Sequence, residues 1–526
     1  MNAIGGALKR AIVGVIILSI PNLCFASITA LQEVSTTYYH VLGATQNSFY
    51  PKSDTDILYE GVVDSNGEFS EGLEFSSSMY YRMTNDKLVD DKDVSMENFW
   101  MSFSRPSQYE YTLGDFFASY SDFSVGNAIK GVKMDWETKY NLNYGVVGGI
   151  DTAKWEDLWE TRVDDSAEHS YVWGAHLGSN FFQEKLSLSL NYGGKLDDKA
   201  YLQDYMPQIF VNVLSIDTEY EFARGLVAKF EAAKSFTDQD KRLDYIGFRE
   251  SNAYNASFNI DDPHYNIVLG YQRIGIHFNN TSGFVASDIE RFTFDDSINI
   301  TPNTRFTSYF HFDRDDLADH ADFTTRQLNP GAGLEFKLPY EIDCETRFDL
   351  RKRYTSDDNT KEKTYTYSTR VGKEFKYVNC SVEYIKTFIV DRIWADQERN
   401  EDSFYIDLDG VIEIKDDISL SWNVGEDFTH SEYKDICESD LTLNHRFGGR
   451  LDLPDMLFLS TQISLHDNNY FMNDTDNHGS SYLFSLGKDI KDLSLSLDYQ
   501  YRGYNYVDGD DNYSEEVLTG KASYQF

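Results

Sequence analysis

The chain has 526 residues and a formal charge of −40, with 41% hydrophobic and 25% charged residues. That acidity excludes nucleic acid and other polyanions as partners. Only nine prolines interrupt it and no Pro-, Gly- or Ser-rich linker divides it, so the length reads as one continuous architecture rather than a string of soluble domains.

The first 26 residues carry a charged start at Lys9 and Arg10, an apolar run from Ala11 to Ile20, and a small-x-small site at Cys24-Phe25-Ala26. This is the pattern of a secretory leader cut before Ser27. Leu23 stands where lipidation of Cys24 would need a small side chain, so no lipid anchor is expected. The leader removes two basic residues and no acid, leaving the exported chain more acidic still. Residues 27–53 form an N-terminal segment with room for a first strand, and residues 54–526 form the body.

Beyond Ser27 no apolar run is long enough for a membrane helix. Alternation takes its place. Residues 113–133 interrupt clear strands with turn residues and aromatics, extended structure resuming at Ile129, and are a candidate constriction. Then Leu186, Leu188, Leu190 and Tyr192 share one face while Ser187, Ser189 and Asn191 share the other. His277, with Asn279, Asn280 and Ser282, lies on an expected loop and does not add up to a hydrolase site.

After Pro339, the residues Asp343, Glu345, Arg347, Asp349 and Arg351 occupy one phase of a strand, and Ile342, Cys344, Phe348 and Leu350 the other. A second stripe follows at Asp407, Asp409 and Glu413, opposite Phe404, Ile406, Leu408, Ile412 and Ile414. The string seen at Leu186 recurs at Ile418, Leu420, Trp422 and Val424, and again at Leu493, Leu495, Leu497 and Tyr499. Asp474, Asp476 and His478 lie in a polar stretch lacking the third ligand and downstream Glu of a calcium loop. The end alternates too: Leu518, Gly520, Ala522, Tyr524 and Phe526 against Thr519, Lys521, Ser523 and Gln525.

Between Asp54 and Phe526 there are about 25 such segments of roughly nine to fifteen residues, each able to cross a bilayer at a barrel's tilt. A soluble sandwich also alternates, but it does not need so many strands of that length. Aromatics make up 15% of the chain, which suits interfacial girdles. The expected fold is therefore all-β: a single large antiparallel transmembrane β-barrel of about 24–26 strands. Tight turns at Lys415-Asp416-Asp417 and Phe375–Val378 alternate with polar loops at Tyr354–Glu362 and Asp467–Ser480. Cys344, Cys380 and Cys437 are too few and too scattered for a disulfide framework.

Charges as dense as the two stripes cannot face lipid, where Arg or Lys costs about 2–4 kcal/mol near the midplane. They are expected to line the lumen, either as solvated wall or as a charged filter. No zinc or haem motif and no catalytic constellation is present, so neither an enzyme nor a protein-held cofactor is expected.

The C-terminal strand resembles the sorting signal of outer-membrane barrels, which implies that Leu518, Tyr524 and Phe526 engage the insertion machinery. The Gly114-Asp115-Phe116 and Lys130-Gly131-Val132 pair resembles a pattern of other large outer-membrane barrels, including fimbrial ushers, although an usher also needs a plug and soluble domains for which this chain has no room. In size and simplicity the whole resembles large porins and the sheaths of porin–cytochrome conduits. The expectation is an outer-membrane conduit, in contact with lipid and lipopolysaccharide, whose acidic lumen passes cationic or neutral polar solutes. The alternatives are a sheath around a periplasmic multihaem cytochrome and a polysaccharide-export barrel.

Overall fold

The computed structural model describes residues 27–44, 48, 54–68, 72–85, 94–152, 155, 169–202, 206–241, 248–282, 287–317, 324–356, 361–391, 398–415, 417–434, 438–469, 477–506 and 512–525. The leader, Cys437, Asp474, Asp476 and Phe526 lie outside them.

The chain is almost entirely strand. The first nine are β1 (Ser27–Gly43), β2 (Asp54–Glu68), β3 (Glu74–Thr84), β4 (Val94–Arg105), β5 (Tyr109–Ser119), β6 (Gly126–Glu137), β7 (Leu142–Asp151), β8 (Ser170–Phe181) and β9 (Leu186–Asp197). Next come β10 (Phe210–Ala223), β11 (Leu226–Asp238), β12 (Phe248–Asp262), β13 (Tyr265–Ile274), β14 (Ile289–Thr301), β15 (Thr304–Asp315), β16 (Thr325–Leu338) and β17 (Ile342–Thr355). The last are β18 (Lys361–Glu374), β19 (Asn379–Asp391), β20 (Arg399–Lys415), β21 (Ile418–Tyr433), β22 (Glu438–Leu453), β23 (Leu457–Asn469), β24 (Asn477–Ile490), β25 (Leu493–Tyr506) and β26 (Tyr513–Gln525). Twenty-five of them follow Asp54, and β1 falls within the N-terminal segment.

Each strand pairs antiparallel with its sequence neighbours, and β1 also pairs with β26, Tyr38 opposite Leu518 and Gln32 opposite Tyr524. The ring is closed by the β1–β26 ladder, so neither terminal strand is left as a free edge along that seam. For 26 strands about 4.8 Å apart and tilted near 40°, a round barrel has a backbone diameter of roughly 50 Å.

Period-two alternation assigns the faces. In β9, Leu188, Leu190 and Tyr192 are exposed while Ser189 and Asn191 are buried. The same split puts Leu214 and Ile216 outside and Val211, Val213 and Ser215 inside on β10. One end of the barrel carries only short turns, such as Pro263-His264 and Pro302-Asn303, whereas the other carries every longer connection. β17, β18, β23 and β24 extend into the polar stretches at 354–362 and 467–480, leaving connections of residues 356–360 and 470–476. A closed antiparallel barrel with an apolar outer face, a polar inner face and one short-turned end is the architecture of a bacterial outer-membrane protein.

Cys344 on β17 and Cys380 on β19 are free and are separated by β18. Two strand spacings, about 9.6 Å, exceed the Cα separation a disulfide tolerates. Mass spectrometry of the unreduced protein should therefore show no Cys344–Cys380 bridge; finding one would mean the strand map is wrong.

Candidate functional site

The site is the lumen, and its inner face can be traced by register, because residues paired across a ladder share a face. One row runs Glu231, Asn255, Gln272, Arg291, Asp313, Gln327, Arg353, Glu362, Asp391. It begins beneath a buried inner layer and ends on β19, so the odd-numbered phase of β17 points into the lumen. Asp343, Glu345, Arg347, Asp349 and Arg351 lie on that phase. Ser381 on the inner phase of β19 pairs with Asp407, which carries Asp409 and Glu413 to the same side.

These eight residues do not form one cluster. Asp349 accepts a hydrogen bond from the Tyr309 hydroxyl at 2.6 Å and pairs with Arg347 at 2.9 Å, while the Arg347 guanidinium lies 5.2 Å from the Tyr309 ring centre. Arg351 meets Glu362 at 2.5 Å, Asp343 meets Lys337 at 3.8 Å, and Asp407 meets Arg446 at 3.5 Å. Asp409 accepts from the Asn379 amide at 2.9 Å. Among the described residues Glu345, Asp409 and Glu413 form no ion pair, so they carry the uncompensated negative charge of this group. Arg305 and Glu335, 3.9 Å apart, and Arg291 and Asp313, 2.5 Å apart, extend the mixed-charge wall. Two open grooves of about 760 and 790 Å³ run along it, with Arg305, Glu335 and Glu345 shared between them.

The opposite side of the lumen is built differently, and glycines set the reason. Gly114 pairs with Gly131, and Gly131 pairs with Gly149, which draws a line of three glycines across β5, β6 and β7. Gly114 has φ of +105°, and a Cβ there would sit 2.1 Å from the Phe99 carbonyl oxygen; one on Gly131 would sit 2.2 Å from that of Gly148. A side chain at either position would push the strands apart. Without them the sheet creases, and the end of the β5–β6 hairpin turns into the barrel.

The hairpin tip then lies as a second layer on the inner wall from β7 to β13. Phe123, 1% exposed, packs with Val211, Val213, Ala233, Ala253, Ile274 and Phe278, meeting the Phe278 ring edge-on at 5.5 Å. Burying that one ring contributes about 2–3 kcal/mol. Val125 fills the space over Gly174 and Gly193, where added Cβ atoms would come within 2.6 and 2.9 Å of its methyl. Polar contacts join the two layers: the Phe123 N–H donates to Glu231 at 3.3 Å, Ser121 and Ser215 hydroxyls lie 2.9 Å apart, and Asn255 donates to Asp122 at 3.0 Å. The β13–β14 loop turns in beside it, Thr281 donating to the Ser124 carbonyl at 3.0 Å.

Residues 113–133 thus do fold into the lumen, but the irregular part is only residues 120–125 between two regular strands. The Gly-Asp and Lys-Gly motifs turn out to be cross-strand partners, Gly114 with Gly131 and Asp115 with Lys130. Glu231, Ser215 and Thr281 were not singled out, since nothing local marks them as receptors for a loop about a hundred residues earlier. His277 sits 3.1 Å from Arg249, and Ser282 donates to Asn280 at 2.7 Å. His478 pairs with Asp467 at 3.0 Å. Leu518 and Tyr524 are outward and exposed on β26.

No protein-family model and no curated protein matches the chain. Among solved structures it is similar to the P pilus usher PapC translocation pore, at 9% identity and a TM-score of 0.39, covering 95% of this chain and 99% of that one. It is also similar to OccK2 (OpdF) of Pseudomonas aeruginosa, at 11% identity and 0.36, covering 70% and 99%. The siderophore receptor PirA of the same organism gives 9% identity and 0.39, covering 94% and 80%. None of these likenesses is close enough to carry a function across.

Replacing Gly131 with Val should unfold the crease. Protease cleavage within residues 120–125, which the docked hairpin shields, should rise by about tenfold relative to the unaltered barrel. Unchanged protection would show that the close approach at Gly131 does not hold the hairpin inside.

Proposed function

We propose that the protein is an outer-membrane conduit for cationic or neutral polar solutes. The observation that carries this reading is the asymmetry of the lumen: one side is covered by a docked hairpin, and the other, from β14 to β21, presents exposed charged side chains and the half-buried Tyr309. A second layer about 10 Å thick on one side of a barrel roughly 50 Å across narrows the passage without filling it. The exposed wall offers a solute both signs of charge and aromatic faces, with Glu345, Asp409 and Glu413 tipping the balance toward negative. Such a wall screens anions and leaves room for polar solutes. No observation here favours the cytochrome sheath or the polysaccharide-export barrel, and the recording below separates them from a channel.

Planar-bilayer recording at about 0.1 M salt, where the Debye length is about 10 Å, should give a stable conductance with cation preference. The triple variant E345Q/D409N/E413Q should lower the cation-to-anion permeability ratio by about half. The charge-neutral double variant R347Q/D349N should leave it nearly unchanged, since it removes one charge of each sign. A silent barrel that co-purifies with a haem-staining protein would instead favour the sheath. Equal ratios in all three proteins would remove the lumenal acids from any selective role.

A further inference from the structure

Folding the hairpin inward has a cost on the outside of the barrel. The β4–β5 ladder covers only Trp100–Arg105 against Tyr109–Gly114, although β4 starts at Val94 and β5 runs on to Ser119. Among the described residues, no strand pairs with β4 above Trp100 on the side of the withdrawn hairpin. A cavity of about 520 Å³ occupies the opening, lined by Glu97, Asn98, Phe117, Ala128 and Asp151 among others, with Asp115 and Lys130 at its floor. That volume is in the range of small-molecule sites.

The charged groups at the split are all answered. Asp115 accepts the Phe99 N–H at 2.7 Å, where the ladder ends, and the Trp155 indole N–H at 2.5 Å. Lys130, 7% exposed, holds the other Asp115 oxygen at 2.5 Å and lies 5.4 Å from the Trp155 ring centre. Trp155 also meets Phe99 edge-on at 6.1 Å, so it covers the pair from outside. At the rim Glu97 pairs with Arg82 at 3.4 Å and Asp151 with Lys195 at 3.6 Å.

The aromatic girdle sets the height of the opening. Tyr109, Tyr111, Trp136 and Tyr144 form a contiguous aromatic group at the short-turned end, with ring centres 5.1, 5.8 and 5.0 Å apart in succession. Asp115 is six residues further along β5 than Tyr109, which at the usual rise and tilt is about 15 Å higher. The apolar band of such a barrel is about 25 Å tall, so the opening stands at the level of acyl chains in the outer half of the bilayer.

We propose that it is a lateral binding site for an uncharged or zwitterionic amphiphile. The apolar chain lies against Phe117 and Ala128, and the polar head reaches Asn98 at the rim. Net-charged heads are disfavoured because each rim charge already has its partner, and a bare charge brought to this depth would go unanswered. Trp155, in contact with Asp115 and Lys130 of the cavity lining, is the built-in reporter. This inference rests on the barrel spanning a membrane and is independent of what crosses the lumen.

The test uses the full barrel in lipid nanodiscs titrated with brominated dodecyl maltoside, whose bromine quenches indole fluorescence on contact. A saturable quenching component is expected in the unaltered protein and should be missing from W155F. A128F, which fills the slot, should weaken it by about tenfold, and brominated dodecyltrimethylammonium and dodecanoate should compete at least about tenfold more weakly. Heat-modifiable migration of each variant establishes that the barrel has formed. Quenching that rises linearly and equally in all three proteins would mean bulk-lipid contact only and would overturn the site; equal competition by charged amphiphiles would overturn the assigned head-group class.

Discussion

Everything distinctive in this barrel depends on the close approach of backbone at Gly114, Gly131 and Gly149. A closed antiparallel sheet resists folding over, because side chains on successive strands hold the pleat open. Three small residues in cross-strand register remove that resistance along one line. Once the sheet can crease there, the β5–β6 tip exchanges one set of neighbours, the upper part of β4, for another on the inner face of β7 to β13. The exchange is stabilised by buried apolar contact around Phe123 and Val125, by the Ser121–Ser215 hydrogen bond, and by hydrogen bonds that Asp122 accepts from Asn255 and the Ser124 carbonyl from Thr281. It makes two features at once, a thickened inner wall and a breach in the outer one.

The remainder of the wall obeys a simpler economy. Each strand places apolar side chains on lipid and polar ones on the lumen, and charge within the lumen is largely compensated within a strand, as with Arg347 and Asp349, or between nearby strands, as with Arg446, Asp407 and Asp427. Exposed pairs of this kind add at most about 1 kcal/mol each. Their effect is on the electric field that a passing solute meets, which is why the few uncompensated acids matter more than the total charge.

Much of the fold could be read from the residues alone. Period two is a local signal, so Leu186 to Tyr192, Ile418 to Val424 and Leu493 to Tyr499 each declare a strand and its faces. Register then carries Asp343 through Arg351 and Asp407 through Glu413 to the lumen without further information. β1 was harder to see, because its apolar set includes Tyr38 and Leu42 among Thr, Ser and His, and its place is defined by pairing with β26 nearly five hundred residues away. The hairpin was half legible: glycines and aromatics marked residues 113–133 as unusual, but the surface that receives them is assembled from β8 to β13. No spacing rule links Phe123 to Glu231 or Val125 to Gly193, since contact across a lumen leaves no period in the sequence. Trp155 and the breach it covers were invisible for the same reason.

A designed crosslink reports whether the hairpin tip is docked on the inner wall. The hydroxyls of Ser121 and Ser215 stand 2.9 Å apart, so cysteines at both positions, in a background where the native cysteines are replaced by serine, should form a disulfide in the folded barrel under mild oxidation. The predicted result is near-complete bridging, seen as one mass and as loss of reactivity toward a water-soluble thiol reagent. Two freely reactive thiols in a heat-modifiable, folded barrel would contradict the docked hairpin and, with it, both the narrowed lumen and the lateral opening.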